Sequence, residues 1–236
     1  VWPLLNRYIY IYILQGRLSG SGIEEQLPSI ILVAHYDSFG VGLAKGADSN
    51  GSGVVVLLEL ASVSVFMTLI KCRYNIVFLL SGGGKFNYQG TKRWIEDNLE
   101  SDFFLGSHHM SCSPKFSFSL NCRISPIERI LCDFPEVKFD MVHKKINLAD
   151  EMLAWEHERF SIKRLQAFTL SHLDSHKYPS RTSILDTRDQ VDVKVLSRNV
   201  QIIAEAIATH IYNLTSPSVT QLFADALVSV LNHLNM

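Results

Sequence analysis

Four cysteines in 236 residues, none of them in a C-x-x-C pair, exclude a zinc ribbon and a thioredoxin-type dithiol. Cys72, Cys112, Cys122 and Cys132 are widely spaced. His108, His109 and Cys112 lie close together, but no second pair at ligand spacing accompanies them, and the stretch reads as a polar loop. No uninterrupted apolar run reaches the roughly 18 residues of a membrane-spanning helix. The nearest, Val54 to Ile70, holds Glu59 and several serines and reads as a nearly buried helix. The opening VWPLLNRYIYIYIL carries Asn6 and Arg7 and lacks a small-residue cleavage site, which makes it a poor signal peptide. Charge of one sign is missing too. With 22 Lys and Arg against 23 Asp and Glu, neither a basic nucleic-acid face nor a highly charged disordered chain is indicated.

What is present suffices for a core. A hydrophobic fraction of 47% over this length predicts one large domain. Short apolar, β-branched runs predict strands at Ser29 to Ala34, Asn75 to Leu80, Val137 to Val142 and Gln166 to Leu170. Helices are predicted over Val54 to Thr68, Thr91 to Leu99, Leu148 to Phe160 and Ser197 to Asn213. The last of these repeats apolar residues at Val200, Ile203, Ala204, Ile207 and Ile211. Strands alternating with helices imply an α/β fold around a mostly parallel sheet. Ligand sites in such sheets lie beyond the carboxyl ends of the strands, which directs attention to the residues just past Ala34 and just past Leu80. Residues 101–133 form an irregular excursion of mixed Ser, His, Cys and Phe, and no linker or internal repeat divides the chain.

After the first of those strands comes AHYDSFGVGLAKGADSNGSGVVVLLEL. His35 and Asp37 form an H-x-D pair, and Asp48 follows in a turn of small residues that leads straight into a helix. An imidazole and a carboxylate on neighbouring loops are natural zinc ligands, with Asp37 placed to orient the His35 ring. The plain structural reading is a capped helix start, with Asp48, Ser49 or Asn50 as the cap and His35 merely hydrogen-bonded. After the second strand comes SGGGK, residues 81–85. A phosphate loop would need Ser or Thr after Lys85 and a glycine five residues before Gly84, and has neither. G-x-G-x-x-G fails at Asn87. A nest of amides with Lys85 can still hold an anion or a carboxylate, although a structural turn is the simpler reading. Ser52 does not stand in G-x-S-x-G, and EHERF (Glu156 to Phe160) is not H-E-x-x-H, so its alternating charges read as a solvated helix face.

H-x-D, then G-A-D-x-N-x-S-G, then a helix with LLEL resembles the zinc-dependent aminopeptidase superfamily that also includes glutamate carboxypeptidases and the transferrin receptor ectodomain. The resemblance implies a three-layer, phosphorylase/hydrolase-like α/β fold with helices on both faces of a mostly parallel sheet. It also assigns roles by position. His35 and Asp48 match two zinc ligands, while Ser49 stands where a second aspartate is usual. The family's Glu-Glu-x-Gly-Leu-x-Gly-Ser/Thr motif, set in register on Gly90 and Thr91, puts Gly84 at the general base and Lys85 at a zinc ligand. An ammonium repels a dication and offers donors where a lone pair is needed. Two further ligands are expected. Asn121 is a doubtful match for one, and Thr182 stands near the place of the terminal histidine, with His172 and His176 upstream.

SGGGKFNYQGTKRWIEDNLE, MVHKKINLADEMLAWEHERF and AFTLSHLDSH narrow the resemblance to a non-peptidase branch of that superfamily, over about Gln15 to Thr215. That branch implies a domain over residues 15–215, flanked by an atypical segment 1–14 and an amphipathic tail 216–236. It implies an endoplasmic-reticulum membrane glycoprotein with its domain in the lumen, anchored by a segment not found in these residues. The partners it implies are the Nodal modulator protein and a small multi-pass membrane protein. On this reading the domain is a non-catalytic scaffold with no cofactor and no catalytic residue. His35, Asp37, Asp48, Gly84 and Lys85 are then vestigial metal-site positions, and Asn213 in Asn-Leu-Thr is a glycosylation acceptor. Asn50-Gly51-Ser52 also fits the acceptor pattern, at a helix start with little room for a glycan. The competing reading is a zinc aminopeptidase with displaced ligands His35, Asp48 and His176.

Overall fold

A computed structural model describes residues 11–22, 27–38, 46–67, 73–99, 137, 145–146, 151–173, 175–177 and 186–212. The strand predicted at Val137 to Val142, the irregular 101–133 stretch, the four cysteines, Asn121, Thr182, Asn213 and the 216–236 tail lie outside these residues, Val137 alone excepted.

Three strands form the described sheet: β1 (Ile13–Leu18), β2 (Ser29–His35) and β3 (Asn75–Ser81), in the order β1-β3-β2. β2 and β3 run parallel, with Ser29 opposite Asn75 and His35 opposite Ser81. β1 pairs antiparallel with β3, from Ile13 opposite Ser81 to Leu18 opposite Ile76. The described sheet is therefore mixed. β1 escapes sequence pattern because ILQGRL has no clean alternation and its middle four residues are exposed. It also draws Ile13 and Leu14, from the segment set apart in sequence, into the sheet. Gln166 to Leu170 enters no ladder among the described residues.

The period of two along β2 and β3 sorts the core into two layers. Ile30, Leu32, Ala34, Ile76 and Phe78 face one side, against Val56, Leu57, Leu60 and Val63 of α1 (Ser52–Met67) and Val200, Ile203, Ala204, Ile207 and Ile211 of the C-terminal helix. Ile31, Val33, Val77 and Leu79 face the other, against Trp94 and Ile95 of α2 (Gln89–Leu99) and Phe160 of α3 (His157–Ile162). Helices thus cover both faces. The C-terminal helix, α4 (Val193–Tyr212), starts where Asp192 Oδ1 accepts the amides of Lys194 and Val195 at 2.9 and 3.3 Å, an N-cap that the apolar periodicity does not reveal. Trp94 Nε1 donates to Gln15 Oε1 at 2.8 Å and ties α2 to β1. No described helix is long and apolar enough to cross a membrane.

The helix predicted over Leu148 to Phe160 is replaced, among the described residues, by turns from Glu151 to Glu156 and a helix of six residues, His157–Ile162. The backbone before it is bound elsewhere. Asn87 donates through Nδ2 to the Glu151 carbonyl at 2.7 Å and accepts the Leu153 amide on Oδ1 at 2.9 Å. The expected solvated face of EHERF is also overturned, since Glu156, Glu158 and Phe160 are all buried.

Candidate functional site

The same alternation that builds the core continues one step past it. Residues 31, 33 and 35 of β2 and residues 77, 79 and 81 of β3 point to one face, so His35 and Ser81 emerge side by side at the carboxyl end of the sheet, beneath α2 and α3. Thr91, in the first turn of α2, and Glu156, just before α3, close over them. Glu156 is fully buried. Its Oε1 accepts from Ser81 Oγ at 2.9 Å and from Thr91 Oγ1, and its Oε2 lies 3.3 Å from His35 Nδ1. Thr91 Oγ1 lies 2.9 Å from Ser81 Oγ, so the two hydroxyls share the same carboxylate oxygen side by side. The His35 ring, 4% exposed, meets Tyr88 edge-on with centroids 5.7 Å apart.

The histidine occupies the volume that a side chain at residue 84 would need. A Cβ there would lie 2.3 Å from His35 Cγ and 2.4 Å from Cδ2. The absence of a side chain at Gly84 and the inward setting of His35 are thus sterically coupled. At Gly90, the first turn of α2 runs so close to the β3 end that a Cβ would lie 2.2 Å from the Gly82 carbonyl oxygen.

The glycine loop does hold an anion, and the anion is the chain's own. Asp37 Oδ1 accepts the Gly84 amide at 2.7 Å and Oδ2 accepts the Lys85 amide at 2.8 Å. Successive amides in a turn form an anion-binding concavity, and here an aspartate of the preceding strand end fills it. The expectation that Asp37 orients His35 is therefore corrected: Glu156 holds the ring, and Asp37 holds the loop. The loop then runs through Asn87 and Tyr88 at φ 58° and 54°, a left-handed pair. Asn87 keeps that setting through its two bonds to the Glu151–Leu153 turn, and Arg159 donates to its carbonyl through Nε and Nη2. Burial lowers the Arg159 pKa below its ordinary value, against a counteracting pull from Glu96, Glu158 and Tyr88.

Asp48 and Ser49 sit in a π-helical turn (Ala47–Gly51) that leads into α1. The cap expected from Asp48, Ser49 or Asn50 comes from elsewhere. Asp186, buried, accepts the Asp48 amide on Oδ1 at 2.7 Å and the Ser49 amide on Oδ2 at 2.8 Å. The Asp48 carboxylate instead meets His172, with Oδ2 3.3 Å from Nε2. Lys85 reaches across from the glycine loop and places Nζ 3.2 Å from Ser49 Oγ. Asn50 is 2% exposed and accepts from Ser49 Oγ at 3.0 Å, so its acceptor triplet is closed to a glycan in the folded chain.

These residues do not fit a pair of zinc ions. Both oxygens of Asp37 are engaged by amides, and Lys85 brings an ammonium, which repels a dication, to the Ser49 hydroxyl beside Asp48 in sequence. No group of three His, Cys, Asp or Glu able to hold a metal ion occurs among the described residues. His35, Asp48 and His176 are therefore not gathered at one point as the competing reading requires. Glu156, Ser81, Thr91 and Asp186 are the site residues that sequence reasoning misses. The only sequence signal for Ser81 was its place, with Thr91, at the ends of a recognised strand and helix.

The peptidase family M28 model matches residues 16–119 of the chain. The chain is 52% identical over 227 residues to the mouse BOS complex subunit NCLN, covering 85% of this chain and 40% of that protein. It is 37% identical over 237 residues to Caenorhabditis elegans nicalin, covering 84% and 41%. The chain thus spans about two fifths of the length of these curated relatives. Among solved structures, a zinc aminopeptidase from Bacillus subtilis superposes with a TM-score of 0.60 at 15% identity, over 84% of this chain and 50% of that one. The gamma-secretase component nicastrin superposes at 0.56 with 16% identity, over 82% and 42%. Identities this low carry the fold alone. With a fold like that of the aminopeptidase-like neighbours and about half of the aligned residues shared with the mouse subunit, the chain is a homologue of nicalin and the BOS complex subunit NCLN over about two fifths of their length, with a peptidase family M28 match inside it.

Proposed function

We propose that the protein is a non-catalytic, peptidase-like scaffold within an endoplasmic-reticulum membrane complex, with this domain facing the lumen. One observation carries the non-catalytic part: the glycine loop offers no carboxylate at Gly84 or Lys85, its amides are taken by Asp37, and the Lys85 ammonium lies on the Ser49 hydroxyl, where it repels a dication. Hydrolysis by a paired metal site needs a base within reach of the water, and Gly84, at the place the resemblance gives to that base, supplies none. The scaffold part is supported by the relatives' name as subunits of a complex. It is supported too by the rim of the closed site, where Tyr12, Tyr36, Phe86 and Met152 are exposed around the loop 82–87 and the turn that Asn87 fastens to it. Apolar side chains gathered at one end of a sheet mark a surface for a partner. By resemblance the partners are the Nodal modulator protein and a small multi-pass membrane protein. The role is support of multi-pass membrane protein insertion and regulation of membrane complex assembly and signalling, with glycosylation at Asn213.

The experiment is affinity isolation of the tagged full-length protein from endoplasmic-reticulum membranes in mild detergent. Both partners are expected to co-purify in fixed proportion, and Phe86→Asp with Met152→Asp to reduce their recovery. A protein that isolates alone and releases amino acids from peptides overturns the reading.

A further inference from the structure

Because α1 turns Val56, Leu57, Leu60 and Val63 into the core, the helical repeat sets Val54, Val55, Leu58, Ala61 and Ser62 on its outer side. Val55 and Leu58 are 45% and 52% exposed, with Val54 and Ala61 half-buried beside them. This stripe runs for about 12 Å along the axis and holds one hydroxyl and no charge. The solvent face of α2 is the opposite, with Lys92, Arg93, Glu96 and Asp97 all exposed. A helix apolar on every side is one that other structure covers. Glu59 stands at the border of the stripe, one turn after Val55 and one turn before Val63. It is 8% exposed, and its Oε2 meets neither solvent nor a hydrogen-bond donor. Desolvation alone raises its pKa. The four other buried carboxylates among the described residues each have a partner: Glu156 two hydroxyls and an imidazole, Asp186 two amides, Glu158 the Ala154 amide and Glu205 the Gln201 side chain. Glu59 is the exception, and an unpaired buried carboxylate is costly to keep.

We propose that the outer stripe of α1 is a docking surface for a helix of a partner protein, which lays apolar side chains on Val55 and Leu58 and brings a lysine or arginine to Glu59. Charge complementarity selects this occupant. A partner cation supplies the donor that Oε2 lacks in the folded chain, and in a desolvated contact such a bond is strong. A bilayer surface fits poorly, since the stripe has no cation for a headgroup phosphate and presents a carboxylate to it. A second copy packed through the same stripe would bring Glu59 toward its own twin, like charge to like. A helix suits the shape, because Val55, Leu58 and Ser62, three and four residues apart, form a ridge that a facing helix can accept in its groove. The stripe shares no residue with the rim around the loop 82–87.

The test is photo-crosslinking of the full-length protein in intact cells, with a benzophenone amino acid at position 58, or at position 92 as control, and mass spectrometry of the joined peptides. Position 58 is expected to join one segment of one other protein, apolar at three- and four-residue spacing and holding a lysine or arginine; position 92 is expected not to join it. Glu59→Gln is expected to cut that crosslink about tenfold. Glu59→Lys is expected to abolish it, with recovery when the partner's basic residue is changed to glutamate. Thermal unfolding of the purified full-length protein separates docking from a structural role. Glu59→Gln replaces an unpaired buried carboxylate by a neutral amide of the same shape, so its midpoint is expected to equal or exceed that of the wild type. A lower midpoint overturns the inference. So do crosslinks to lipid, to a second copy or to another part of the same chain, crosslinks scattered over many proteins, no crosslink at all, or a yield that Glu59→Gln leaves unchanged.

Discussion

Gly84→Ala tests the interlock at the centre of the site. The added methyl carbon would lie 2.3 Å from His35 Cγ, more than an ångström inside contact distance. His35 is buried between Gly84, Tyr88 and Glu156, so the ring can yield only by moving off the carboxylate. Two costs then add. Overpacking a filled site costs about 1–3 kcal/mol, and a buried carboxylate oxygen stripped of its partner costs about 1–3 kcal/mol more. A chain of this size loses about 2–4 °C per kcal/mol, which puts the fall in unfolding midpoint at about 4–24 °C. The assay is urea and thermal unfolding of Gly84→Ala, His35→Ala and the double variant. If the ring fills the place of a side chain at 84, the alanine at 84 is nearly neutral once His35 is gone, with a coupling of at least about 1 kcal/mol. Losses that simply add would refute the interlock.

Gly90→Ala is expected to cost more than Gly84→Ala and not to be relieved by His35→Ala, because the obstacle is the Gly82 carbonyl, which is backbone; denaturant midpoints of the two alanine variants settle the order. Asn87→Ala loses two bonds to the Glu151–Leu153 turn and forces alanine to φ 58°, whereas Asn87→Gly loses only the bonds. The alanine variant should therefore be the less stable by about 1 kcal/mol. His157, bonded through Nδ1 to Thr169 Oγ1 at 2.7 Å, has its pKa lowered from 6.5 to about 4 by burial. The unfolded chain takes up that proton first, so stability is full above pH 6.5, falls as pH drops toward 4 and levels below it. The loss is about 3 kcal/mol, and subtracting the pH–stability curve of His157→Gln from that of the wild type should isolate it. A difference curve flat between pH 6.5 and 4 would show that the histidine is not held neutral.

Much of the architecture was legible because apolar pattern and local geometry agreed. SIILVAH and NIVFLLS are buried runs bounded by turns, and α1, α2 and α4 start within four residues of their predicted places. The places of His35, Gly84 and Lys85 just at or past strand ends were legible in the sequence, as was the turn of Asp48 before α1. The partners of those residues were not. Glu156 lies 121 residues from His35 in sequence and Asp186 lies 138 from Asp48, and no local pattern encodes contacts that only the sheet brings together. EHERF deceived because alternating charge signals solvent only when the charges lack partners. Glu156 has three, and Glu158 accepts the Ala154 amide at 3.2 Å. β1 was hidden by its exposed, irregular sequence and by antiparallel pairing that nothing upstream announces.

The central claim is that a peptidase-like site has become a closed set of internal contacts with no metal to hold. Its most direct test is the zinc content of the full-length protein after zinc loading and desalting, read by mass spectrometry beside turnover of aminoacyl and dipeptide substrates. The account predicts zinc far below one ion per chain and no turnover above the rate without protein. One or two tightly held zinc ions with turnover that disappears in His35→Ala would contradict it.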